Sequence, residues 1–155
     1  MIISCTFALQ FYQELKKFGI EMKKKDPIAE ARRYVENARK TLRENGELNV
    51  ELSRYDDEKY VRAAGNYLWL GVLMALDAVF HVREDRRTRV DINDYREVVG
   101  KRDRKLLALM NDGYLTMHLN MNYDGNPAKG VSDDGFRIAN NIIDRCEMMM
   151  PAVEN

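Results

Sequence analysis

Residues 58–82 read EKYVRAAGNYLWLGVLMALDAVFHV, a run that is apolar on almost every side. On an ideal helix successive residues rotate by about 100°, so Ala64, Gly71, Ala75 and Ala78 share one narrow face while Trp69, Leu73, Leu76 and Phe80 crowd another. The small face lets a neighbouring helix come close, and the large one fills space. A helix apolar all round belongs in the centre of a bundle or in a membrane. Asn66, Asp77 and His81 interrupt this one, whereas a span needs about 20 predominantly apolar residues. The stretch therefore reads as the middle helix of a soluble bundle, capped at its start by Asp56 or Asp57.

Upstream, Asp26 followed by Pro27 is a helix start, because the Asp side chain can accept from first-turn amides and Pro presets φ. Ile28, Ala31, Val35, Ala38 and Leu42 then recur by three and four, and Gly46 is the natural stop. The other face carries Arg32, Arg33, Glu36, Arg39, Lys40 and Arg43 and reads as solvated. Glu47 to Tyr55 is a connector. Before Asp26, the stripe Phe7, Phe11, Leu15 and Phe18 is amphipathic, and Gly19 ends it. Met22-Lys-Lys-Lys-Asp-Pro resembles a translation start, so residues 1–25 read as an N-terminal helical arm or extension and 26–151 as the bundle domain.

Downstream, the arginine-dense run Arg83-Glu-Asp-Arg-Arg-Thr-Arg89 cannot be core and reads as a loop. From about Asn93, Tyr95, Val98, Arg102, Leu106, Leu109, Gly113 and Met117 lie near one face of a long helix. If continuous to Tyr123, it would run roughly 45 Å. Asp124 to Gly130 holds turn formers. Ser132 then offers a cap, Val131 can staple onto Phe136, and Phe136, Ala139, Ile143, Cys146 and Met150 form a core stripe that Pro151 ends. The expected fold is all-α, an antiparallel four-helix bundle with an additional N-terminal helix.

Composition narrows the function classes. The chain has 155 residues, 45% of them hydrophobic, which supports one domain with one core. Its 25 basic and 25 acidic side chains cancel, so no whole-molecule field draws it to nucleic acid or anionic membrane. Cys5 and Cys146 form no C-x-x-C pair, which fits a reduced, cytoplasmic setting. The opening residues carry neither a basic flank nor a cleavage site of a secretory signal.

Four polar residues, Arg62, Asn66, Asp77 and His81, fall within an arc of about 100° on the central helix. Asp77 and His81 are four apart, so the carboxylate could orient the imidazole for acid–base work; the alternative is a structural pair with Asn66 setting register. Arg83, Arg86, Arg87 and Arg89 are candidate nucleic-acid contacts, although Glu84 and Asp85 offset them and no aromatic residue is interleaved. His81 and His118 are the only histidines, and no Glu-x-x-His pairing predicts a metal site. Cys146 and Met148 to Met150 read as packing. No G-x-x-x-x-G-K-[ST] loop is present, and no cofactor is expected.

Two stretches, Tyr60-Val-Arg-Ala-Ala-Gly-Asn-Tyr-Leu-Trp-Leu-Gly71 and Tyr114-Leu-Thr-Met-His118, resemble helices of the HEPN superfamily, small α-helical bundles. From Asp26 to Met150 the chain also resembles a small bacterial family of uncharacterised helical-bundle proteins. Ribonuclease members of the superfamily carry an Arg, four to six intervening residues and a His. Here Arg62 lies far upstream of His81, and Arg104 far upstream of His118, so the resemblance implies the fold, with partner binding or dimerisation, and argues against the nuclease.

The expected protein is a non-enzymatic cytoplasmic interaction module, a homo-oligomer or a partner of another protein, with no membrane role. The alternatives are a HEPN-like nucleotide- or RNA-binding protein and a small-molecule enzyme using Asp77 with His81.

Overall fold

A computed structural model describes residues 25–83 and 89–151. The all-α expectation holds coarsely: among the described residues there are five α-helices, one π-helical segment and a two-stranded sheet. The amphipathic stripe from Phe7 to Phe18, and Arg86 and Arg87, lie outside the described residues.

Helix α1 (Pro27–Asn45) begins as its sequence dictates, with Asp26 Oδ1 accepting from the Ile28 amide at 2.9 Å. Its buried residues are Ile28, Ala31, Val35, Ala38 and Leu42, the stripe read from spacing alone. Gly46 closes it by donating to the Leu42 carbonyl at 2.9 Å, and Glu47 turns the chain in the left-handed region at φ 54°. The connector is more ordered than a plain loop. Strands β1 (Leu48–Asn49) and β2 (Arg54–Tyr55) pair antiparallel, and Asp56 accepts from both Arg54 Nε and Asn49 Nδ2.

Helix α2 (Glu58–Phe80) is capped by Asp57, whose Oδ1 accepts from the Lys59 amide. By length and composition α2 could also cross a membrane. Here its buried side chains face α1, the π-segment and the last helix. The small face works as expected against α1, since a Cβ on Gly71 would stand 2.9 Å from the Ala31 carbonyl oxygen. Burying each large aliphatic side chain of this core contributes about 1.5–3 kcal/mol.

The single long helix expected from Asn93 to Tyr123 is instead three pieces: α3 (Ile92–Arg102), α4 (Arg104–Gly113) and the π-segment (Tyr114–Tyr123). Asp103 breaks it. This residue is extended at φ −149°, ψ 100°, and its Oδ1 accepts from the Lys105 and Leu106 amides, so it caps α4 at the point where α3 stops. Its Oδ2 accepts from Arg145 Nε at 2.6 Å. Capping and an ion pair together outweigh the continuation of helix through one residue.

The last helix, α5 (Lys129–Met149), starts one turn earlier than expected. Two backbone bonds fix it to the hairpin, Tyr55 N–H to Pro127 O and Lys129 N–H to Ser53 O, both 2.9 Å. Ser132 is therefore not the cap; it is fully buried inside the helix, and its hydroxyl has no protein partner. Ala139, Ile143 and Cys146 are buried as read, while Phe136 and Met150 pack on the core's edge.

Candidate functional site

The four polar residues of α2 do not form one site. Arg62 and Asp77 are fifteen positions apart, about 22 Å along a helix axis. Arg62 lies at the other end of the helix, where its guanidinium donates to the carbonyls of Tyr123 and, at 3.1 Å, Asp124. Those carbonyls end the π-segment and have no helical donors, so Arg62 is its cap. Gly125 makes the arrangement possible: its φ is 65°, and any Cβ there would stand 2.7 Å from Arg62 Nε. Asn66 is exposed midway.

Asp77 and His81 do share a site, an open cleft of about 680 Å³ between the start of α1, the second half of α2 and the end of α5. Pro27, Leu70, Met74, Ala78 and Met150 give it apolar walls, and Lys25, Asp26, Tyr34, Asp77, His81 and Arg83 supply the polar groups. That volume lies in the usual range of ligand sites. Leu70 is 37% exposed in it.

At the polar end, Asp77 Oδ2 accepts from the Tyr95 hydroxyl at 2.9 Å and from Arg83 Nε at 3.0 Å. Arg83 Nε also reaches the Tyr95 oxygen at 3.0 Å. Tyr95 itself is buried, and burial, followed by the Asp77 carboxylate, pushes its hydroxyl up to about 12. It stays protonated and donates throughout the physiological range. Sequence periodicity could not find Tyr95, because it arrives from α3; its only signal was a polar-tipped aromatic on an apolar face. Replacing Tyr95→Phe removes a hydrogen bond to a charged group, and we expect a loss of about 1–2 kcal/mol in urea unfolding; an unchanged midpoint would contradict this pairing.

His81 ends α2 in the left-handed conformation at φ 53°, with its amide donating to Asp77 O at 3.0 Å. Its side chain is exposed. Arg83 and Arg89 are exposed too, and Arg83 stands in the cleft lining. Cys146 is fully buried, and burial pushes its thiol up to about 12. Among the described residues no group of three His, Cys, Asp or Glu is assembled for a metal ion.

Two further features escaped the sequence. Trp69, Tyr114 and His118 cluster edge-on or tilted with ring centroids 5.1–6.0 Å apart, and Arg96 Cζ lies 5.3 Å over the Tyr114 ring. A smaller hollow of about 300 Å³ lies between α1, the hairpin and α5, with Arg39 Cζ 4.6 Å over Phe136.

Among solved structures, the chain is similar to a protein of unknown function from Dyadobacter fermentans, at 35% identity and a TM-score of 0.70, covering 79% of this chain and 93% of that one. No curated protein matches. A family model matches residues 26–148, most of the chain and all of the described α-helices but the last residue of α5, and so the protein belongs to the family described as domain of unknown function (DUF5618).

Proposed function

We propose that this protein is a non-catalytic docking module of the cytoplasm that takes an apolar segment in the α1–α2 cleft. Its layout is read as an antiparallel four-helix bundle whose third rod is the broken α3–α4–π run. The observation that carries the reading is the cleft itself: apolar walls of Leu70, Met74 and Met150, with polar groups whose charges balance, Lys25 and Arg83 against Asp26 and Asp77. Methionines adapt to varied apolar side chains.

Support for binding over catalysis comes from the state of the polar groups. Two donors already hold Asp77 Oδ2, and Tyr95 keeps its proton. A protonated tyrosine is not a general base near neutral pH, and the carboxylate is engaged in holding Tyr95 and Arg83.

Peptide selection against the full chain tests this. We expect recovered peptides to carry apolar anchors and to lose about tenfold or more in affinity on Met74→Lys, as anchor pockets do. Peptides indifferent to Met74→Lys and Leu70→Lys would contradict it. A second reading, a HEPN-like protein that binds nucleotide or RNA without the nuclease pair, is favoured by Arg83 in the cleft lining and exposed Arg89. Its signature would be RNA binding that weakens with salt and with Arg83→Glu.

A further inference from the structure

We infer that the hollow of about 300 Å³ between α1, the hairpin and α5 is a binding site for a small organic carboxylate, whose anionic head Arg39 and Arg43 hold and whose apolar body rests on Leu42, Leu48 and Phe136. It is a second site, separate from the cleft. Pro27 lines the cleft and Arg39 the hollow, and the positions between them on α1 span about 18 Å.

Uncommitted donors single this hollow out. Of the arginines on α1, Arg32 donates to Asp144 at 2.9 Å and to Glu147 at 2.6 Å, and Arg33 to Glu30 at 2.8 Å. Arg39 and Arg43 donate no hydrogen bond to any described residue. The carboxylate of Glu36 stands 3.7 Å from Arg39 Nε, and Arg39 Cζ lies 4.6 Å over the Phe136 ring. Arg43 has no ion pair among the described residues. Four positions apart, the two guanidinium groups share one face of the helix. Tyr55 adds a third donor. A Cβ on Gly46 would stand 2.8 Å from Tyr55 Cδ1, so the glycine lets this ring lie against the end of α1. Burial pushes the Tyr55 hydroxyl up, and the charges of Lys129, Asp133 and Arg39 act on it. It keeps its proton at neutral pH, and it makes no hydrogen bond to a described residue.

The charges here do not cancel. Asp133 also lines the hollow, but its Oδ2 already accepts from Lys129 Nζ at 2.5 Å. Among the lining residues and their ion-pair partners, Arg39, Arg43 and Lys129 stand against Glu36 and Asp133, which leaves one positive charge in surplus. A monoanion balances it, and a carboxylate matches a planar guanidinium with two parallel hydrogen bonds. The remaining wall is apolar, and Leu48 is 42% exposed at its edge. Covering that wall favours an apolar body over a fully hydrated phosphate. The volume lies at the lower end for ligand sites, so the occupant is a small molecule.

The test titrates the isotope-labelled full chain with benzoate, cinnamate and octanoate, each beside its neutral amide, and with inorganic phosphate. At least one carboxylate should give saturable shifts at Leu48, Tyr55 and Phe136. Its amide, which forfeits the charge-assisted hydrogen bonds, should bind about tenfold or more less tightly, and phosphate, which has no apolar body, should also bind less tightly. Arg43→Gln changes an exposed side chain; it should keep the wild-type circular dichroism and weaken the carboxylate by about tenfold or more. Met74→Lys, in the cleft, should leave that affinity unchanged. A carboxylate and its amide bound alike, phosphate bound as tightly as the carboxylate, or affinity indifferent to both Arg39→Gln and Arg43→Gln would each overturn the inference. So would shifts centred on Leu70 and Met74, or a panel in which no carboxylate saturates the hollow.

Discussion

Gly65→Val is expected to lower the stability of the protein by about 3 kcal/mol or more, the upper range for overpacking a filled core. Gly65 lies in the middle of α2, where an ordinary helix would favour alanine by about 1 kcal/mol. The reason it is glycine is the π-segment. A Cβ at this position would stand 2.6 Å from Met121 Cβ, 2.7 Å from the Asn122 nitrogen and 2.7 Å from the Met117 carbonyl oxygen. Two of those three atoms are backbone, so no rotamer change relieves the clash. The π-segment would have to move off α2, and Met117 and Met121, both fully buried, would move with it. Gly65→Ala should lose less, about 2 kcal/mol, because the helix-propensity gain offsets part of the overlap. Gly130→Ala is the control. Nothing lies within 4 Å of a Cβ there, and the same substitution should be neutral or stabilising by up to about 1 kcal/mol. Urea unfolding followed by circular dichroism reads all three; a Gly65→Val protein as stable as wild type would show that α2 and the π-segment are not in close backbone contact.

Asp103→Ala should cost about 2 kcal/mol, near the top of the range for losing a helix cap. One oxygen of Asp103 holds two amides of α4 and the other holds Arg145. The carboxylate is only 12% exposed, so water replaces those partners poorly. Asp103→Asn separates the roles, since an amide oxygen still caps but carries no charge. In the folded protein the Arg145 guanidinium, helped by the capped amides, holds the Asp103 carboxyl below its ordinary value. A depressed carboxyl pKa contributes stability that is fully present above the unfolded value of about 3.9 and is lost as the pH falls through the folded value. The stability difference between wild type and Asp103→Asn is therefore expected to be constant from neutral pH to about 5 and to shrink below about 4. A difference that stays constant into acid would mean that Arg145 does not pair with Asp103 in solution.

These two residues also mark where the sequence stops being legible. Helix α1 was readable throughout because everything that defines it is local: Asp26 and Pro27 at the start, a stripe at three and four, Gly46 at the stop. The crowded and small faces of α2 were readable for the same reason. The break at Asp103 was not, although an Asp inside an apolar-periodic run is itself a cap signal; what decides it is Arg145, 42 residues away. Gly65 gave no signal of its own, because the π-segment that presses on it is distant in sequence. Ser132 had the chemistry of a cap and lost the role when the hairpin fixed the start of α5 at Lys129.

The candidate site was legible in part. Periodicity placed Arg62, Asn66, Asp77 and His81 on one arc. An arc ignores distance along the axis, so it merged a π-segment cap at one end with a cleft at the other. Asp77 and His81 do line one cavity, but the group that organises Asp77 is Tyr95 from another helix, with Arg83 from the run after α2. Of the basic run, Arg83 lines the same cleft and Arg89 is exposed outside it.

The measurement that most directly tests the cleft as the docking surface is a titration of the isotope-labelled full chain with a selected apolar peptide, following backbone amide and methionine methyl resonances. The account predicts saturable shifts concentrated at Tyr34, Leu70, Met74, Ala78 and Met150, abolished by Met74→Lys. Shifts centred instead on the hollow lined by Arg39, Tyr55 and Phe136, or no saturable shifts at all, would contradict it.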